Sequence, residues 1–136
     1  MLSEDKKTKI SQHIIKALPE TKAIYLFGSM AIGDAKYDSD VDIAIWIDMK
    51  PTGDQAFEIK SEISLITKKD VDLIDLLRAD LITKSQVIST GEILFAKSFD
   101  ETAFFENYIY SRFVNFNEEI REIESDILKR GKIRDW

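Results

Sequence analysis

Hydrophobic positions in the first part of the chain follow two different periods. From about Asp5 to Leu18 they recur at the three-and-four spacing of a helix, and Pro19 closes the pattern. The apolar run Ala23–Phe27 is typical of a short buried strand, and Gly28 follows it directly. The pattern therefore predicts a helix, then a strand that ends in a glycine turn.

A second strand is predicted over residues 41–47, where side chains alternate between two faces. One face should join the core, and the other should carry the chemistry. Trp46 lies on the second face, where it could line a nucleobase pocket or lie beneath a covering helix. The first face holds Val41, Ile43, Ile45 and Ile47, and the second holds Asp40, Asp42, Ala44 and Trp46.

The middle of the chain predicts two more helices and two more strands. A loop at residues 51–54 leads into an amphipathic helix, and Val71–Leu77 is typical of a third strand. Asp80 can cap a short helix that ends near Gly91, and Glu92–Ala96 predicts a final edge strand. These patterns leave the order of the strands in the sheet open.

Residues 100–129 contain neither Gly nor Pro and are rich in aromatic side chains, so we expect one long helix, with a single break left open. Its apolar stripe is heptad-like, which suits either a helix that covers its own domain or one that faces a partner. We expect a core at residues 1–98 and a helical extension at residues 99–136. The stripe consists of Ile109, Phe113, Phe116, Ile120, Ile123 and Ile127.

Composition narrows the function classes. A net charge of -6 argues against general binding to duplex nucleic acid, which requires a basic surface. The absence of cysteine excludes disulfides and thiolate metal sites, so any metal must be bound by oxygen. No apolar run is long enough to span a membrane, and the N-terminus lacks the apolar region of a signal peptide. We expect a cytoplasmic protein.

Candidate chemistry centres on Gly28, Ser29, Asp40 and Asp42. A Gly-Ser turn can offer backbone donors to a polyphosphate. Two aspartates one residue apart on a strand point the same way, so they can share magnesium ions. Two such metals serve phosphoryl or nucleotidyl transfer, which makes chemistry on a nucleoside triphosphate the leading hypothesis.

A two-metal site usually requires a third carboxylate. The third strand offers Asp72 and Asp75, which point to opposite faces, so only one of them can join the site. Asp72 is favoured because it lets Val71 and Leu73 enter the core. Asp72 is also a candidate general base for an acceptor hydroxyl.

These motifs together resemble the minimal nucleotidyltransferases, the MNT family of the DNA polymerase beta superfamily, over about residues 10 to 97. The resemblance implies an α/β fold with a polymerase-beta-like core, a small mixed sheet with helices on one face, and a long C-terminal helix. It implies that Gly28 and Ser29 bind ATP as co-substrate and that Asp40, Asp42 and Asp72 hold Mg²⁺. Many relatives have arginines where this chain has Met30 and Ile32.

Short members of this family look like antitoxins of HEPN ribonuclease toxins, and they are thought to transfer AMP to a tyrosine of the toxin. The resemblance therefore implies a HEPN-type toxin as partner, docked through the C-terminal helix. Two alternatives stay open: an antitoxin that neutralises by binding alone, and a small-molecule nucleotidyltransferase. A homo-oligomer is also left open.

Overall fold

The computed structural model describes residues 2–28 and 40–130. The predicted elements are all present, with bounds within a few residues of those expected. One bound differs, because the third strand ends at Asp75 and the chain continues as a 3₁₀ turn. In chain order the elements are α1 (Glu4–Ala17), β1 (Ala23–Phe27), β2 (Val41–Trp46), α2 (Gly53–Thr67), β3 (Val71–Asp75), the 3₁₀ turn (Leu76–Arg78), α3 (Leu81–Thr90), β4 (Glu92–Ala96) and α4 (Phe99–Arg130).

Side-chain caps fix where the first three helices begin. The Ser3 hydroxyl accepts a hydrogen bond from the Lys6 amide at the start of α1. Thr52 and Gln55 form a reciprocal capping box at α2. The Asp80 carboxylate accepts from the Thr83 amide at 2.7 Å. Each cap satisfies amides that would otherwise lack a partner, so these starts are encoded locally.

The described strands form a four-stranded mixed sheet in the order β3-β2-β1-β4. β1 runs antiparallel to both β2 and β4, whereas β2 and β3 are parallel. This arrangement confirms the predicted small mixed sheet and the edge position of β4. It also brings the start of β2 next to the end of β1 and the start of β3.

Both faces of the sheet are covered, which corrects the expectation of helices on one face only. One core cluster packs α1 and α2 against the face that carries Ile43 and Ile45. A second cluster packs α3 and α4 against the face that carries Tyr25, Ala44 and Trp46. The face expected to carry only chemistry is therefore buried along most of its length. Asp40 and Asp42, which the sequence proposes as site residues, lie at one end of it.

The α4 helix is continuous from Phe99 to Arg130. Its first turns pack on the sheet: the ring of Phe105 stacks on Trp46 with centroids 4.0 Å apart, and Ile109 is buried. Trp46 thus lies beneath a covering helix. The interpretation of α4 as a covering helix therefore holds for its first turns. From Phe116 onward the apolar stripe is exposed, and the interpretation of this part as partner-facing stays a prediction.

The proposed domain division at residue 98 stays a prediction. No helix among residues 2–28 and 40–130 is long and apolar enough to cross a membrane.

Candidate active site

The central feature of the site is the pairing of Asp42 with Asp72. The two residues are Cα partners on the parallel strands β2 and β3. Paired residues of neighbouring strands project to the same face, and the strands lie about 4.8 Å apart. Asp40 immediately precedes β2 and is exposed. Three carboxylates are therefore placed at one end of the sheet.

Gly28 closes this end of the sheet from the β1 side. Its φ is +72°, a conformation that side chains with a Cβ rarely adopt. A Cβ at this position would overlap Oδ2 of Asp42. Because Phe27 is the Cα partner of Asp42, the turn brings its backbone directly against that carboxylate. The glycine is thus required by two independent constraints.

Asp42 is the electrostatically strained member of the group. Burial raises the pKa of its carboxyl, and the negative charges of Asp72 and Asp40 raise this pKa further. The three carboxylates therefore repel one another at neutral pH. A divalent cation bound between them would relieve that repulsion and replace the water that Asp42 has lost.

Asp75 is separated from this group. It is the Cα partner of Ile45, whose side chain belongs to the core cluster on the opposite face of the sheet. Its carboxylate accepts hydrogen bonds from Arg78 at 3.0 Å. Of the two candidates on the third strand, Asp72 is therefore the one next to Asp42.

The metal site itself stays a prediction. Within the described parts of the chain, no three carboxylate or imidazole groups are gathered closely enough to hold a metal ion. Oxygen donors on a rigid strand pair do suit Mg²⁺, and the negative charges of Asp72 and Asp40 beside Asp42 favour a cation there. Ser29, Met30 and Ile32 lie outside the described residues.

Sequence reasoning missed two contacts that fasten α4 over the same face of the sheet. The Tyr25 hydroxyl donates to Glu106 at 2.6 Å. The Lys22 ammonium contacts Glu101 of α4 at 2.7 Å. These partners are far apart in sequence, so no local pattern could have indicated them.

Comparison with known proteins identifies the family. The family model described as Polymerase beta, Nucleotidyltransferase matches residues 9–100. This chain belongs to that family. The match includes β2 and β3, which carry Asp42 and Asp72, and β1 together with Gly28, which follows it. The carboxylate end of the sheet therefore lies within a nucleotidyltransferase domain.

A protein of known activity and several solved structures are similar to this chain over most of its length. The protein adenylyltransferase MntA of Shewanella oneidensis is 30% identical over 98 residues, which cover 72% of this chain and 70% of that protein.

The crystal structure of a toxin-antitoxin with AMP-PNP matches with a TM-score of 0.76 and 27% identity, covering 93% of this chain and 99% of that one. The MNT antitoxin in complex with the tri-AMPylated HEPN toxin of Shewanella oneidensis matches with a TM-score of 0.73, and at 24% identity this likeness concerns the fold. That match covers 93% of this chain and 99% of the other.

Proposed function

We propose that this protein is a magnesium-dependent adenylyltransferase that transfers AMP from ATP to a tyrosine hydroxyl of a cognate HEPN toxin and thereby acts as its antitoxin. Membership of the nucleotidyltransferase family supports the reaction class. The similarity to the adenylyltransferase MntA supports a protein as acceptor. The similarity to a toxin-antitoxin structure that contains AMP-PNP supports ATP as co-substrate and a toxin as partner. We place the reaction in the cytoplasm, where ATP is available.

The observation that carries this proposal is the register of Asp42 with Asp72 beside Gly28. Nucleotidyl transfer requires metal cations that neutralise the negative charge of the triphosphate, and acidic side chains that hold those cations. Carboxylates on two adjacent strands meet that requirement, and the glycine allows the phosphates to approach the main chain. None of the other described carboxylate pairs combines these two features.

The roles of the residues follow from their positions. In this proposal Asp40 and Asp42 hold Mg²⁺, Asp72 completes the site, and Gly28 with Ser29 binds phosphate. Bound Mg²⁺ would neutralise the triphosphate and stabilise the leaving pyrophosphate. The tyrosine oxygen forms a bond to the α-phosphorus while the bond to pyrophosphate breaks, and Asp72 accepts the phenolic proton.

The partner would dock on α4. This helix crosses the face of the sheet that ends in Asp42, and its exposed stripe begins at Phe116. An apolar stripe at heptad spacing suits packing against another helix. A helical toxin bound there would be held to the same rigid body as the carboxylates, because Tyr25 and Trp46 fasten α4 to the sheet.

The decisive experiment combines the purified protein with ATP, Mg²⁺ and the cognate toxin, and measures the intact mass of the toxin. We expect the toxin to gain AMP with the unmodified protein and to gain none with Asp42→Asn or Asp72→Asn. Asp75→Asn is the matched control, since it removes a carboxylate from the same strand but from the opposite face. Retained transfer in Asp72→Asn together with lost transfer in Asp75→Asn would contradict the assignment.

A second candidate function is neutralisation by binding alone. The exposed part of the stripe, from Phe116 to Ile127, favours it, because this surface does not depend on the carboxylates. The variant with both Asp40→Asn and Asp42→Asn separates the two functions. Survival of cells that express the toxin with this variant would favour occlusion, and their death would favour catalysis.

A further inference from the structure

The outer edge of β4 has no strand beside it among residues 2–28 and 40–130. β4 pairs with β1 on its inner edge only, and it is a terminal strand of the sheet. Residues 92–97 read Glu-Ile-Leu-Phe-Ala-Lys, with no proline and no charge between the two ends. An exposed apolar edge of this kind is a template for pairing with another strand.

A groove runs along this edge between α1 and β4. It is lined on the helix side by Lys7, Thr8, Ser11 and Ile15, and on the strand side by residues 92–95. The Ser11 hydroxyl is buried at its wall and has no hydrogen-bond partner. The edge therefore offers both backbone groups for a ladder and a recess for the side chains of an added strand.

We propose that β4 pairs antiparallel with β4 of a second copy of this chain about a two-fold axis. Such pairing would join the two four-stranded sheets into one continuous sheet. It would also place side chains of each copy against the groove along α1 of the other.

A bulge in β4 determines the register of this pairing. Phe95 is the partner of Ile24 and Ile93 is the partner of Tyr25, so Leu94 is an inserted residue. Leu94 and Phe95 consequently both pack on the core cluster that contains α1. Glu92 faces the same side through its contact with Lys7, at 3.0 Å.

The remaining residues of β4 face the other side of the sheet. Ile93 is paired with Tyr25, and Ala96 with Ala23, both members of the cluster on the α4 side. Lys97 follows Ala96 and therefore points back toward the α1 side by strand alternation.

Residues opposite each other in an antiparallel pair must share a face. For two copies of β4 this condition holds when the axis passes between Leu94 and Phe95. Shifting the axis by half a residue places Glu92 opposite Ala96, which face opposite sides. The allowed register pairs Glu92 with Lys97, Ile93 with Ala96, and Leu94 with Phe95.

The charges at the two ends of β4 favour a second copy of this chain as the partner strand. In the register that the bulge allows, Glu92 of each copy lies opposite Lys97 of the other, so two opposite-charge pairs flank an apolar centre. Lys97 is exposed, and the Glu92 side chain is 41% exposed. A strand that begins with an acid and ends with a base complements itself only in the antiparallel direction.

Cysteine cross-linking tests the register directly, because the chain has no cysteine of its own. Opposed residues of an antiparallel pair have Cα atoms about 4.5–5.5 Å apart, which a disulfide can span. We expect a mixture of the full-length Ile93→Cys and Ala96→Cys variants to form a mixed disulfide dimer under mild oxidation. Each variant alone should form far less, because neither position lies opposite itself.

 The Ala96→Cys and Ile93→Cys variants should keep the far-UV circular dichroism of the parent chain, since Ile93 is 44% exposed and cysteine is close in size to alanine.

Reversing the charges of Glu92 and Lys97 tests whether the strand that pairs with β4 belongs to a second copy of this chain. Lys97→Glu places Glu opposite Glu92, and Glu92→Lys places Lys opposite Lys97, so each variant alone should sediment as a monomer. Mixed together, the two variants restore both opposite-charge pairs and should associate. Lys50→Glu, which makes the same charge change away from β4, should leave association unchanged.

Sedimentation of the unmodified full chain over a wide concentration range completes the test. We expect a reversible shift from monomer to dimer as concentration rises, because five-residue strands bury a small interface. A chain that stays monomeric at every concentration overturns the proposal. Cross-links that form equally well within a single cysteine variant, or a dimer insensitive to Lys97→Glu, also overturn it.

Discussion

The hydroxyl of Tyr25, in the middle of β1, donates a 2.6 Å hydrogen bond to the carboxylate of Glu106 in α4. This bond joins the centre of the sheet to the helix that we propose as the docking element. Together with the stacked rings of Trp46 and Phe105, it makes the first turns of α4 part of the rigid core.

Tyr25→Phe should lower the free energy of unfolding by about 1–2 kcal/mol, because it removes a hydrogen bond to a charged acceptor while keeping the buried ring. Denaturation in urea measures the change. Tyr108→Phe is the control, since Tyr108 is exposed on the same helix. Equal stability of the Tyr25→Phe variant and the parent would show that the bond contributes nothing.

Because of the same hydrogen bond, we expect the protein to lose stability at alkaline pH. Burial and the hydrogen bond to Glu106 raise the pKa of Tyr25 above its ordinary value of 10.0. A pKa raised by folding stabilises the native state below the unfolded pKa, and this contribution is lost as the pH rises above it. The difference in stability between the parent and Tyr25→Phe should therefore shrink above about pH 10. A difference that stays constant there would contradict this assignment.

Asp42→Asn should stabilise the metal-free protein at neutral pH, although it should abolish transfer. Burial and the charges of Asp72 and Asp40 raise the pKa of Asp42, so its contribution to stability is greatest at acid pH and is lost as the pH rises through the raised pKa. Thermal unfolding at neutral pH measures the gain.

Added Mg²⁺ should then raise the melting temperature of the parent more than that of Asp42→Asn. Asp54→Asn is the control, because Asp54 lies in the first turn of α2, away from the site. A variant that is less stable than the parent without metal would contradict the electrostatic account.

Gly28→Ala should destabilise the fold by about 1–2 kcal/mol or more and abolish transfer of AMP. The alanine Cβ would overlap the Asp42 carboxylate, and the positive φ adds the cost of a left-handed residue. Gly53→Ala is a matched control, because a Cβ there meets no described atom within 4 Å. Urea denaturation and the toxin-mass assay report the two effects separately. Unchanged activity in Gly28→Ala would exclude a close approach of phosphate to this turn.

Ile123→Glu should weaken binding of the cognate toxin by tenfold or more without changing the melting temperature of the free protein. Ile123 is 56% exposed on the stripe of α4, so its replacement affects a partner more than the core. Leu65→Glu, at an exposed position on α2, is the control. Isothermal titration with the toxin measures the affinity. Equal losses in the two variants would place the interface elsewhere.

Much of the secondary structure could be predicted because its signals are local. The periods of α1 and β2, the cap at Asp80 and the helix-forming run of α4 depend on residues within a few positions of one another. The predicted end of β3, Leu77, lies two residues beyond its observed end at Asp75. The apolar pair Leu76 and Leu77 continues the strand pattern, but the chain turns there and buries Leu76 in the second core cluster.

The candidate site was predictable in part. The spacing of Gly28, Asp40 and Asp42 indicated chemistry on a triphosphate, because strand alternation alone places the two aspartates on one side. The sequence favoured Asp72 over Asp75 as the third carboxylate but left the choice open. Only the parallel pairing of β2 with β3 placed Asp72 beside Asp42 and Asp75 beside Ile45, on the opposite face.

The sequence by itself determined the helices and strands, the glycine turn and the two neighbouring aspartates, since each follows from short-range sterics and periodicity. Tertiary structure alone decided the strand order, the covering of both sheet faces, and the bonds of Tyr25 to Glu106 and of Lys22 to Glu101. The two bonds join residues that are 81 and 79 positions apart, and the strand order likewise depends on pairing between distant segments. Their formation depends on how apolar faces pack together, and no local pattern encodes that choice.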